Sequence, residues 1–164
     1  MDNIRVCAVL GIIGGLMYTQ FAYAADTLPM EIRRSLDKQF PGWRFPVLGP
    51  QIKQCNAPST LWVHGDFDGD GLPDYAMELV YRDELIVVAR LANGSQQVLT
   101  KSSVANGGTQ VDQALDVLPE GERIGDGPTY AHDAVVRLDC SGPATVTYFS
   151  VRAGKWHSDV QVTE

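Results

Sequence analysis

The sequence predicts an α+β domain: an antiparallel β-sheet with one N-terminal helix packed on it, and an acidic loop between two of its strands. Three observations carry this. One amphipathic pattern at four-residue spacing lies near residue 30, and short apolar or alternating runs separated by turn residues follow it. Successive strands joined by short turns pair antiparallel, and a lone helix then has to cover one face of the sheet. With 164 residues, 45% hydrophobic and 20% charged, the chain has the size of one domain and is too apolar to be disordered.

Residues 1–24 read as a secretory signal. Arg5 and the amino terminus make the basic head, Val6 to Met17 is apolar, and Ala22-Tyr23-Ala24 places small residues before a cleavage point at Ala25. That apolar run is shorter than the roughly 20 residues of a spanning helix. The expectation is a single globular domain over 25–164, periplasmic or secreted, with no stable membrane insertion after cleavage. Removal of Cys7 leaves Cys55 and Cys140, an even pair that is expected to bridge in an oxidising compartment. No CxxC or HxxxH spacing accompanies them, so a zinc site is not indicated.

Residues 27–40 read as the helix. Thr27 is the expected cap, Pro29 suits the first turn, and Leu28, Ile32, Leu36 and Phe40 form its apolar stripe before Pro41-Gly42 ends it. Leu61-Trp62-Val63 enters the acidic loop and Tyr75 to Leu79 leaves it as a strand. After the polar turn Arg82-Asp83-Glu84, the continuous apolar run Leu85 to Ala89 reads as a central strand. Asn93-Gly94 predicts a two-residue hairpin turn into Gln96 to Leu99. Ala134 to Leu138, Ser141-Gly142-Pro143 and Ala144 to Val151 predict a second hairpin, continued through Ala153-Gly154 into Lys155-Trp156-His157. Residues 100–131 are the least regular stretch. Val111, Leu115 and Leu118 fit a helical turn, and Ala114 to Leu118 fit a short strand equally well. Long irregular segments are uncommon in compact domains unless they serve a function, so this is the expected partner surface.

The most informative segment is Gly65-Asp66-Phe67-Asp68-Gly69-Asp70-Gly71-Leu72-Pro73-Asp74. Calcium takes 6–8 oxygens at about 2.3–2.6 Å, and a tightly wound loop brings carboxylates this close in sequence around one centre. Asp66, Asp68 and Asp70 alternate inward, Gly69 and Gly71 permit the winding, the Leu72 carbonyl can face the ion, and Asp74 closes the far side. An EF-hand would need Glu where Met77 stands, and its flanks would be helices. Instead the pattern resembles the calcium-binding loop of FG-GAP/VCBS-type repeats, found in integrin-like propeller blades between two antiparallel strands. The resemblance covers about a dozen residues, and it implies Ca²⁺ on Asp66, Asp68, Asp70, Asp74 and the Leu72 carbonyl. One copy cannot build a propeller, so the adhesion roles of those proteins do not transfer. The chain also looks like small exported bacterial proteins with a helix ending in Phe40-Pro41-Gly42-Trp43, one such loop and a late Trp156. That group implies no activity.

Composition narrows the function classes. The formal net charge is −7, from 13 Lys+Arg against 20 Asp+Glu, and no basic run exceeds Arg33-Arg34, which argues against a nucleic-acid partner. No G-x-S-x-G, H-E-x-x-H, P-loop or dinucleotide fingerprint is present, and no catalytic residue is assigned. His64, His157 and the His132-Asp133 pair are scattered and read as ordinary. The expected function is an exported calcium-binding protein with a structural ion, inhibitor- or immunity-like, binding a protein partner in the cell envelope. The alternative is a small calcium-dependent envelope hydrolase.

Overall fold

The computed structural model describes residues 28–55, 57–103, 110–140 and 142–161. The expected signal segment 1–24, the expected cap Thr27 and Asn106-Gly107-Gly108 lie outside the described residues. In chain order the elements are α1 (Met30–Gln39), β1 (Val47–Leu48), α2 (Gln51–Gln54), β2 (Trp62–Gly65), β3 (Asp74–Tyr81), β4 (Glu84–Arg90), β5 (Gln96–Ser103), β6 (Gln110–Val111), β7 (Gln113–Leu118), β8 (Ala134–Asp139), β9 (Ala144–Ser150) and β10 (Lys155–Gln161). The strands form two four-stranded antiparallel meanders, β2-β3-β4-β5 and β10-β9-β8-β7, and a short parallel pair, β1 with β6. The expectation of one sheet is thereby corrected to two four-stranded sheets and a two-stranded pair. Turn chemistry specifies which neighbours pair, but it carries no signal that the pairing breaks between β5 and β7.

Helix α1 begins after Pro29, whose carbonyl accepts the Arg33 N–H at 3.0 Å, and no side chain caps it. Glu31 in its first turn and Lys38 in its last complement the helix dipole. Its stripe is buried: Leu28, Ile32, Leu36 and Phe40 share one hydrophobic cluster with Met77 and Leu79 of β3 and Ile86 and Val88 of β4. Burial of a side chain of this size is worth about 2 kcal/mol.

A second cluster lies between the sheets. Val63, Phe67, Ala76, Val87 and Leu91 come from the first meander and its loops, Leu115 and Val135 from the second. Strand β3 therefore alternates between two buried environments, Met77 and Leu79 toward the helix cluster and Ala76 toward the inter-sheet cluster. At the β2–β7 seam the Thr60 carbonyl accepts the Leu115 N–H at 3.2 Å, and the Thr60 hydroxyl donates to the Leu115 carbonyl. The outer face of the second sheet is covered by the 119–133 connection, which contributes Tyr130 and Ile124 to a cluster with Val136, Ala144 and Val146.

One local feature differs from the expectations and two refine them. The Asn93-Gly94 turn is a three-residue loop, because Leu91 N–H bonds to the Ser95 carbonyl and Gly94 sits at φ +88. A type I turn closed by a left-handed glycine makes that loop. The Arg82-Asp83 turn has both residues at positive φ (+50 and +60), a conformation seldom taken outside glycine, asparagine and aspartate. Residues 113–118 are a strand, so the helical alternative there falls. Cys55, just past α2, is disulfide-bonded to Cys140, just past β8, across 85 residues of chain with Cα atoms 5.5 Å apart.

Candidate metal centre

The acidic loop joins β2 to β3 and is wound by its own side chains. Gly69 and Gly71 both sit at φ +78, where an L side chain is strained. Asp66 accepts the Gly69 N–H on Oδ1 at 2.8 Å and the Gly71 N–H on Oδ2 at 2.9 Å. Asp68 Oδ1 accepts the Asp70 N–H at 3.3 Å, and Asp70 Oδ1 accepts the Leu72 N–H at 2.8 Å. These are the short side-chain-to-backbone bonds that aspartates form in tight turns. Phe67 points the other way: fully buried in the inter-sheet core, its ring meets Trp156 of β10 edge-on at 6.0 Å. The aspartates are thus held at the rim of the sandwich by a core anchor.

Asp74 opens β3 and is fully buried. Its Oδ2 accepts the Phe67 N–H at 2.8 Å and the Asp68 N–H at 3.3 Å, while its Oδ1 accepts the Ala92 N–H at 2.7 Å from the β4–β5 loop. Burial pushes this carboxyl up to about 6, the neighbouring Asp68 charge adds to the rise, and the Ala92 and Phe67 N–H groups oppose it. Among the described residues, none of the loop carboxylates is paired with a lysine or arginine.

Asp66, Asp68 and Asp74 each offer a carboxylate oxygen, and these lie within 4.8 Å of one another. Two oxygens on opposite sides of a calcium ion are about 5 Å apart, so this spacing suits a hard cation of that size. The Asp66 and Asp68 oxygens and Asp74 Oδ1 each accept at most one of these backbone N–H groups and so retain a lone pair, whereas Asp74 Oδ2 already accepts two. Asp70 stands outside this group of three and is exposed, and Leu72 is 54% exposed. At the EF-hand closing position, Met77 is buried against the helix, and Glu78 beyond it faces the second sheet.

Two contributors are not evident from the sequence pattern. Asp133 Oδ2 accepts the Asp66 N–H at 3.0 Å, and the His132 ring lies on the backbone of Gly69. Their adjacency was visible as a His-Asp pair, but nothing in the sequence relates it to a loop 67 residues earlier. His64 lies beside Trp62 and Tyr75, and His157 stacks on Tyr148, so the three histidines occupy three separate surroundings. Among the described residues, no helix is long and apolar enough to cross a membrane. Comparison with protein-family models, with curated proteins and with solved structures finds no match to this chain.

Proposed function

We propose that the chain is an exported calcium-binding protein whose loop 66–74 holds Ca²⁺ as a structural ion and whose task is to bind a protein partner in the cell envelope. The observation that carries the metal reading is the convergence of the Asp66, Asp68 and Asp74 oxygens within 4.8 Å on a loop wound by two left-handed glycines. The likeness of the loop to FG-GAP/VCBS repeats supports calcium over magnesium, which keeps several waters and uses one or two carboxylates. Asp70 and the Leu72 carbonyl complete the ligand set in this reading. When bound, the ion offsets the mutual repulsion of the carboxylates and fixes the loop against its flanking strands.

The partner role is supported by the signal-like N-terminus, the net charge of −7 and the part of the expected 100–131 stretch that stays irregular. Residues 100–103, 110–111 and 113–118 are strands, which leaves the largely exposed connection 119–133 beside the loop. A basic partner would associate faster at low salt, where charges are less screened. Calorimetric titration of the mature protein with calcium and with magnesium tests the first half. Saturable calcium binding abolished by Asp68→Ala is the expected result, and no binding heat with either ion rejects it. A pull-down from envelope extract, with and without chelator, tests the second half.

A further inference from the structure

The metal loop belongs to the first sheet, yet part of what holds it comes from the second. The Asp133 carboxylate bridges two elements: Oδ2 accepts the Asp66 N–H at 3.0 Å and Oδ1 accepts the Glu120 N–H at 3.1 Å. Segment 119–133 is closed on itself by Gly121 N–H to the Tyr130 carbonyl at 3.1 Å, and it is anchored by buried Tyr130. The approach is close enough to exclude side chains on the loop. A Cβ on Gly65 would lie 2.8 Å from Asp133 Oδ2 and 2.9 Å from the Phe67 ring, and a Cβ on Gly69 would collide with the His132 imidazole. On its far side the same segment walls a cleft of about 360 Å³ lined by Tyr130, His132, Asp133, Tyr148, Arg152 and Asp159.

We propose that Asp133, seconded by His132, is a positioning residue for the metal loop, so that calcium occupancy and the order of the 119–133 segment with its cleft are reciprocally coupled. The coupling rests on the calcium reading above. The Asp66 N–H belongs to a residue that offers its carboxylate to the ion, so a fixed acceptor on that N–H fixes the carboxylate's backbone. Withdrawing the acceptor leaves the ligands present but free to spread. By linkage, whatever tightens the segment from the cleft side tightens the ion by the same factor. Calcium would then regulate the partner surface without touching the partner.

The test uses the mature chain in four forms: wild type, Asp133→Ala, Asp133→Asn and the control Asp116→Ala. Asp116 is an exposed carboxylate whose Oδ1, among the described residues, accepts its neighbour's N–H, so the control removes equal charge from the same sheet system. Calcium titration is expected to show affinity about tenfold or more weaker in Asp133→Ala, as is usual for groups that orient metal ligands. Asp133→Asn, which keeps one acceptor oxygen, is expected to fall between, and Asp116→Ala to match the wild type. Amide exchange gives a readout that a merely structural role would not move. Calcium should slow exchange at Glu120 and Gly121 in the wild type, and this slowing should vanish in Asp133→Ala. If Asp133→Ala does not fold, the calcium effect on wild-type exchange at those two amides decides alone. Equal affinity in wild type and Asp133→Ala, or wild-type exchange indifferent to bound calcium, overturns the coupling and leaves the metal reading standing. A wild type that binds no calcium overturns both.

Discussion

Glu78 of β3 and Arg137 of β8 face each other across the two sheets, with Oε1 and Nε 3.5 Å apart and the carboxylate fully buried. Burial pushes the Glu78 carboxyl from its ordinary 4.5 up to about 7, against the pull of the Arg137 charge, with Asp139 adding to the rise. Arg137 also donates to Gln113 Oε1, and the Gln113 amide donates to Asp139 Oδ2 at 3.1 Å. A polar line thus runs from the middle of the sandwich toward Cys140. A buried pair of this kind contributes little net stability, because desolvation consumes the attraction, but removing one partner is costly.

The first prediction concerns pH. A carboxyl whose folded pKa is raised binds its proton more tightly in the native state, so stability falls as pH rises from about 4.5 to about 7. Below that window the Glu78 contribution is intact, and above it the loss is complete, on the order of 3 kcal/mol. Asp74, also raised, contributes a slope of the same sign. The difference between wild type and Glu78→Gln isolates Glu78. In urea melts at pH 4, 6 and 8 the variant should gain on the wild type as pH rises. A constant difference across that range would contradict the assignment.

The second prediction ranks the ligands. Calcium at a hundredfold excess over Kd should add about 2.7 kcal/mol to the stability of the native chain. Asp68→Ala should abolish the thermal shift, since Asp68 belongs to the converging three. Asp70→Ala should retain part of it, since Asp70 is exposed and now only braces the Leu72 N–H. Equal loss in both variants would give Asp70 the full weight the sequence pattern assigns it.

A third prediction separates the two loop glycines. Both sit at φ +78, so alanine at either should cost about 1–2 kcal/mol for the backbone alone. At Gly71 nothing lies within 4 Å of the added carbon, whereas at Gly69 it meets His132. Gly69→Ala should therefore be the more destabilising in chemical denaturation. His132→Ala should restore much of the difference, and failure to do so would show that the ring moves aside freely.

The disulfide supplies the fourth. Closing 85 residues restricts the unfolded chain by on the order of 4 kcal/mol in the entropic account. Digestion of the unreduced protein should yield the Cys55 and Cys140 peptides linked. The Cys55→Ala/Cys140→Ala pair should lower the denaturation midpoint with little change in calcium affinity, because the bridge lies by α2 and β8 and not at the loop. A large change in affinity would place the bridge in the metal site's support.

Much of this architecture was legible locally. The Leu28–Ile32–Leu36–Phe40 stripe, the β3–β4 pair, the β8–β9 hairpin and the loop with its two strands all follow from spacing and turn chemistry within about a dozen residues. What remained hidden depends on groups far apart in sequence. The β1–β6 pair joins two-residue strands too short to show any period. Phe67 reads as the variable residue between two aspartates, yet its burial seats the loop. Asp133 earns its place only once β8 is laid beside the first sheet. The Arg82-Asp83 turn was legible as a turn, but its backbone was not: the β3–β4 pair imposes a positive φ that suits Asp83 better than Arg82.

Each meander is a sequence-local object. Among the described residues, β2 to β5 lie in chain order in their sheet, as do β7 to β10, with Arg44 added by a single bridge to Val80 of β3, and such short-range pairings favour fast formation. The contacts that join the two layers, the Thr60–Leu115 seam, the Cys55–Cys140 bridge and the Asp66–Asp133 bond, are long-range in sequence and are expected to form in a step after the local pairings. A loop that belongs to one layer but is braced by the other acquires its final geometry only at that step. During refolding, full-affinity calcium uptake should therefore keep time with the burial of Trp156 against Phe67 and lag the appearance of β-structure. Uptake that kept pace with strand formation would show that the first layer alone suffices to shape the loop.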